Sequence, residues 1–412
     1  MMRMSTTRAY DLYSERFRAD TYATFARMRE HDPILCQPGL DGETPIWFLT
    51  RYDDVVKILL DDERFTRDPA LALTPEELDR LRGSVASTEF AFVENHMLNK
   101  DGPDHRRLRR LVTKAFTPRI VEQLRPRIQE IADELLDAVE PRGEMDLVDE
   151  YAFPLPIVVI AELMGIPADD RNRFRTWSNT VVSPALTPES LEEFAAQMKQ
   201  FIEYLRELFA RRRAEPGPDL ISALLQAEDG GETLSEHELF SMVVLLIVAG
   251  HETTVSLIGN GTLVLLQHPD QLELLRADPS LIGTAVEELL RFEGPVERAL
   301  TRWATTDVEV DGHTIRRGEA VIAIIGSANR DEARFDRPET LDLTRQDSRH
   351  IAFGRGSHYC LGAPLARLEG EIALATLFRR LPGLRLNVTR EELVWRPVPL
   401  FRSLGALPVA WD

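Results

Sequence analysis

Cysteine is nearly absent. Cys36 and Cys360 are the only two in 412 residues, and they stand far apart, outside any C-x-x-C spacing. That excludes a disulfide framework and a cysteine-built zinc site. Long apolar runs are missing as well. The longest, Met242 to Ala249, falls far short of the ~20 residues that span a bilayer, so no membrane anchor is expected. The start, Met1 to Asp20, mixes arginines with acids and has no apolar core for a signal peptide. No glycine/serine-rich linker, low-complexity block or internal repeat divides the chain, which reads as one unit, 1–412. Basic excess is lacking too. The formal charge is −19, and duplex binding depends on basic groups that neutralise phosphate, so nucleic acid is no partner. These absences leave a cytoplasmic protein. Its 43% hydrophobic content supports a core large enough to enclose a cofactor.

The lone Cys360 lies in an unusual stretch, Phe353-Gly354-Arg355-Gly356-Ser357-His358-Tyr359-Cys360-Leu361-Gly362. Gly354 and Gly356 permit positive φ or a close backbone approach. Beyond Gly362 a helical pattern runs from Ala363 through Leu377. A cysteine just ahead of a helix meets free N–H groups and the positive end of the dipole, which favour its thiolate. With no second cysteine near, such a thiolate suggests a single metal bond, the other ligands coming from a cofactor. A buried structural cysteine in a glycine-rich turn is the alternative.

A second stretch breaks a rule of its own. Ser235 to Gln267 reads as a long apolar helix opened by a capping box, Ser235 with Glu238. Its middle nevertheless holds Ala249-Gly250-His251-Glu252-Thr253-Thr254. Glycine in a helix interior costs about 1 kcal/mol against alanine, and an unpaired buried acid costs more. Thr253 can bond back to the Ala249 carbonyl and loosen the turn. Leu245, Ala249 and Thr253 share a face, flanked by Val248 and Glu252. An apolar wall thus ends in a hydroxyl and a carboxyl, as proton delivery in a dry pocket requires. A polar kink in a core helix is the alternative reading.

Elsewhere, helices are expected at Tyr22–His31, Asp53–Leu60, Val121–Val139, Phe153–Met164, Glu189–Arg213, Leu220–Glu228 and Ala285–Phe292. Strand patterns fall at 34–36, 46–50, 308–310, 314–315, 320–324, 384–387 and 407–410. The fold class is mainly α with a smaller β region, about 34–50 and 298–324 plus 384–410. His105 to Lys114 is densely basic, with His105 and Arg109 on one helix face. Arg106, Arg107 and Arg110 read as solvated, though in so acidic a chain the cluster could steer an acidic electron carrier. Glu288 and Arg291, at i and i+3, can meet on a helix.

Taken together, F-G-x-G-x-H-x-C-L-G resembles the haem-binding loop of the cytochrome P-450 family, and A-G-x-E-T-T and E-x-x-R follow that family in the same order. The resemblance spans nearly the whole chain and implies the family's fold. It implies haem b with Cys360 as axial iron ligand, framed by Ala249, Phe353, Gly354 and Gly362. His105, Arg109, Arg302 and His358 would reach the haem propionates. Thr253 would orient dioxygen and water, and Glu252 would relay protons. Glu288 and Arg291 would form a buried structural pair, but Pro338-Glu339-Thr340-Leu341 has threonine where the family's P-E-R-F pattern has a third arginine. Phe90, Phe92, Leu245, Val248, Val296, Leu300 and Phe401 would line a substrate pocket, loop padding being as good a reading of the two phenylalanines. Arg298 reads as solvated, a substrate carboxylate being its alternative partner. The implied activity is monooxygenation of a hydrophobic small molecule with O2, by hydroxylation or epoxidation. Electrons would come from NAD(P)H through a ferredoxin-type donor and its reductase, because the chain has no Rossmann or iron–sulfur signature. A peroxide-driven peroxygenase and a haem-thiolate gas sensor are the competing classes; the Glu252–Thr253 pair and the missing regulatory domain count against them.

Overall fold

The computed structural model describes residues 10–39, 42, 44–82, 95–170, 173–174, 176–177 and 188–412. Phe90 and Phe92 lie outside the described residues. One helix, Glu236–Gln267, organises the rest. Ser235 Oγ accepts from Glu238 N and the Glu238 carboxylate accepts from Ser235 N, which closes the capping box. By length and composition this helix could cross a membrane, but 72% of its apolar window is buried inside the molecule. Its hydrophobicity is therefore that of a core element, all-round apolar because partners surround it.

Those partners are helices. Pro154–Leu163, Ile282–Glu293 and Ala363–Arg380 pack on the central helix, and Arg125–Val139 packs on Ala363–Arg380. At Gly250 a Cβ would stand 3.2 Å from Ile160 Cδ1, so the residue that weakens the helix lets a neighbour approach. The central helix runs unbroken through Gly250–Thr254. The hydroxyl groups of Thr253, Thr254 and Ser256 bond back to carbonyls four residues earlier without interrupting it. The expected helix over Val121–Val139 is in fact two, Pro118–Gln123 and Arg125–Val139. Pro126 explains the division, since a proline ring is accommodated at a helix start and not in its interior. Pro269–Ala277, Pro75–Arg82 and the short Glu15–Ala19 are further helices that the periodicity did not single out.

The β region gathers at one side. A five-stranded sheet has the order Ile34–Pro38, Pro45–Leu49, Ala320–Ala323, Arg302–Ala304, Phe65–Thr66. Pro45–Leu49 and Ala320–Ala323 run parallel; the other pairs are antiparallel. Val308–Val310 and His313–Ile315 form a hairpin, turned by Asp311 and Gly312 at positive φ, the backbone such a two-residue turn demands. A three-stranded sheet joins Glu144–Asp146, Pro408–Ala410 and Arg385–Leu386. Strands lie within each of the expected portions, 34–50, 298–324 and 384–410. Phe65–Thr66 and Glu144–Asp146 are additions too short to show in a sequence pattern.

Candidate active site

The cysteine loop is held by its glycines. Gly354 has φ 72° and Gly356 φ 74°, a left-handed region that residues with a Cβ avoid. At Gly356 a Cβ would also stand 2.8 Å from the Leu59 carbonyl oxygen. Cys360 N donates to Phe353 O at 2.9 Å, closing the loop. The chain then enters Ala363–Arg380, with Pro364 in its first turn. Burial pushes the Cys360 thiol up, against the backbone N–H groups of Gly362 and Ala363 and the charges of Arg109 and Arg367. The helix start alone therefore does not make the thiolate, contrary to expectation: desolvation outweighs it. A bound metal ion reverses the balance, because a coordinating thiol loses its proton outright.

The predicted propionate binders come from three segments and converge. The His105 and His358 rings lie 4.3 Å apart. His105 is buried with Nε2 unpartnered, and burial, helped by His358 and Arg109, pushes it down to about 4. His358 Nε2 sits 2.7 Å from Asp101 Oδ1. Asp101 also accepts from Thr66 Oγ1 at 2.7 Å and from Arg67 N. Those bonds hold Asp101 at about 2 against the opposing effect of burial. Arg302, buried, donates to Asp62 at 3.0 Å and Phe65 O at 2.8 Å. The ligand atoms of Asp62, Asp101 and His358 lie within 4.8 Å of one another. Arg109 donates to Tyr359 O at 2.6 Å, beside the cysteine. Sequence reasoning missed both acids; the sole signal was Asp101 standing just before a helix start.

On the central helix, Ala249 is exposed although it stands mid-helix, and Leu245, Val248 and Thr253 are half-buried. This is the face read from the sequence. Thr253 Oγ1 donates to Ala249 O at 3.0 Å. Glu252 is buried and ion-paired with Arg396, a partner from the C-terminal region that the sequence did not reveal. His251, without an assigned role at the outset, is wholly buried, its Nδ1 3.1 Å from Ile247 O and its Nε2 3.8 Å from Glu252. Burial pushes His251 down, partly opposed by the Ile247 carbonyl and the Glu252 charge. Glu369, on the helix after the cysteine loop, is buried, and burial pushes it up to about 8.

Val296 and Phe401 face each other across an antiparallel bridge, and Leu300 is half-buried beyond them. Arg298 is neither solvated nor free for a substrate. It is 2% exposed, bonded to Glu297 at 3.1 Å and Leu12 O at 2.5 Å. Glu288 and Arg291 meet in a fork of two 2.8 Å bonds, fully buried. The third arginine in doubt at Thr340 is supplied by Arg345, 3.0 Å from Glu288, which with Arg291 also donates to Thr340 O. Of the basic run, Arg107 pairs with Glu238, and Arg110 and Lys114 with Asp229, so these three are not simply solvated.

Comparison with known proteins decides the family. The cytochrome P450 family model matches residues 40–164 and 170–384. The chain belongs to the cytochrome P450 family. The polyketide biosynthesis cytochrome P450 PksS of Bacillus subtilis is 46% identical over 97% of both chains. The P450 monooxygenase PikC of Streptomyces venezuelae is 44% identical over 96% of this chain and 92% of its own. The solved structure of the myxobacterial cytochrome P450 CYP267B1 in complex with myristic acid superposes with TM-score 0.91 at 46% identity, over 97% of this chain and 98% of that one. The fold is the P450 fold, and the cofactor is haem b. This P450 is a monooxygenase, an oxidoreductase that uses O2, a small-molecule substrate and a redox partner. Its residues fit the haem: one thiol with two N–H groups aimed at it, the guanidinium groups of buried Arg302 and half-buried Arg109, and an orphaned buried His105 Nε2.

Proposed function

We propose that Cys360 is the axial ligand of the haem iron and that His105, Arg109, Arg302 and His358 hold the two haem carboxylates. Phe353, Gly354 and Gly362 would flank the ring on the thiolate side and Ala249 on the other, within one catalytic domain, 1–412. The observation that carries this reading is the meeting of His105, His358 and Arg302 with Asp62 and Asp101 near the only glycine-flanked cysteine. Buried carboxylates require paired, hydrogen-bonded cations. When bound, haem activates dioxygen, and a thiolate ligand favours O–O cleavage.

The chain's own residues do the rest. Leu245, Val248, Val296, Leu300 and Phe401 wall the substrate site and exclude water, which strengthens every electrostatic interaction inside. The Thr253 hydroxyl, tethered to Ala249 O, presents its oxygen lone pairs to the pocket and orients water there. Glu252, a carboxylate ion-paired with the partly exposed Arg396, is placed to pass protons from solvent toward the pocket. The substrate is a hydrophobic molecule of polyketide or fatty-acyl kind, in line with the names of PksS and the myristic acid complex. Electrons come from a ferredoxin-type donor and its reductase in the cytoplasm. Turnover with O2 and a surrogate ferredoxin, against peroxide alone, tests the monooxygenase route. Cys360→Ser tests the ligand: the thiolate-type carbon monoxide spectrum of the reduced protein should vanish, and an unchanged spectrum rules out the assignment.

A further inference from the structure

Two pocket-wall segments are fastened to the N-terminal helix by charges that lie far in sequence from the haem loop. Arg18, on Glu15–Ala19, is 5% exposed. Its guanidinium donates to Glu297 Oε2 at 3.0 Å, Phe401 O at 3.2 Å and Val398 O at 2.5 Å. Arg402, also buried, donates back to Arg18 O at 2.6 Å and to Glu293 at 2.9 Å. Backbone bonds complete the clamp: Glu297 N to Leu400 O at 3.0 Å and Arg402 N to Pro295 O at 2.9 Å. The segment Pro295–Leu300 and the turn Val398–Phe401 are therefore set against each other, with Arg18 across their junction.

The local charge count explains the arrangement. Arg18, Arg298 and Arg402 face Glu293 and Glu297, so the cations exceed the acids. A buried excess cation has to be satisfied by carbonyl oxygens. Arg18 uses those of the turn. If it is removed, Glu297 keeps Arg298 as a partner and Val398 O keeps Phe401 N at 3.2 Å, while Phe401 O loses the Arg18 bond that ties the turn to the wall.

We infer that Arg18 is a positioning residue for substrate specificity, fixing the Val398–Phe401 turn against the Val296–Leu300 wall so that the pocket keeps one shape. The inference rests on the assignment of those segments as pocket walls. In a well-shaped apolar pocket a methylene group is worth about tenfold in discrimination, and a loosened wall forfeits that contrast while chemistry at the iron continues.

The test titrates haem-loaded wild type, Arg18→Met and Arg18→Lys with 1-alkylimidazoles from butyl to dodecyl, followed by haem absorbance. The imidazole binds iron whatever the pocket, and the tail probes its walls. In wild type the affinity should rise to an optimum tail length. In Arg18→Met the contrast between best and worst tails should shrink about tenfold, with the reduced carbon monoxide spectrum unchanged. Arg18→Lys, which keeps the charge and loses the fork, should fall between and carries the test if the methionine variant does not fold. An unchanged ranking and contrast, even with all affinities shifted together, overturns the inference. A wild type that gives no haem shift with any alkylimidazole sinks the haem-site reading instead.

Discussion

Replacing Glu369 with glutamine should make the protein more stable at neutral pH, by an amount that depends on pH in a defined way. Glu369 is 1% exposed, and among the described residues no cation pairs with it. Burial raises its carboxyl from about 4.5 to about 8, and the Thr254 hydroxyl draws it back slightly. A raised folded value means that the folded protein keeps a proton the unfolded chain releases. Stability is then greatest below the ordinary value and declines as pH climbs toward about 8. Each pH unit in that window costs about 1.4 kcal/mol, so the burden near pH 7 is about 3 kcal/mol and near pH 5 below about 1 kcal/mol. Glutamine has nearly the same shape and no proton to lose. Denaturant unfolding of haem-loaded wild type and Glu369→Gln across this range should give a stability difference that grows with pH and levels off above about 8. A constant amide cost would offset the whole curve without tilting it. A difference that stays flat with pH would show that the carboxyl ionises freely in the fold, and the reasoning would be wrong.

Thr253→Ala should raise peroxide released per NAD(P)H consumed; coupling at the wild-type level would remove threonine from proton delivery. Arg396→Leu leaves the buried Glu252 without its guanidinium. It should cost about 2 kcal/mol, once the solvent screening of the partly exposed arginine is allowed for, and should depress coupling as Glu252→Gln does. If the two variants couple differently, Arg396 acts elsewhere. Arg345→Met should cost about 1–3 kcal/mol in chemical unfolding, because Glu288 loses one of two buried guanidinium partners. A variant as stable as wild type would return the third-arginine role to doubt.

Local signals carried much of this molecule into its sequence, and the reasons are specific. Gly354 and Gly356 announce backbone that other residues rarely adopt, and both take positive φ. The Ser235–Glu238 box marks a helix start to the residue. By contrast, Arg345 reaches Glu288 from 57 positions away and Arg396 reaches Glu252 from 144. No spacing rule links such partners, because tertiary packing alone brings them together. The same holds for Arg298, whose ordinary place at a surface is overridden by the Glu297 carboxylate and the Leu12 carbonyl that satisfy it. The thiol of Cys360 shows a different limit. Helix-start electrostatics can be read from a sequence, but the depth of burial that opposes them cannot.

Three cations of the His105–Lys114 run are occupied by neighbouring carboxylates. Within that run, a carrier therefore meets fewer unneutralised charges than the sequence suggests. The enzyme's second-order reduction rate by the redox partner should bend only gently with ionic strength.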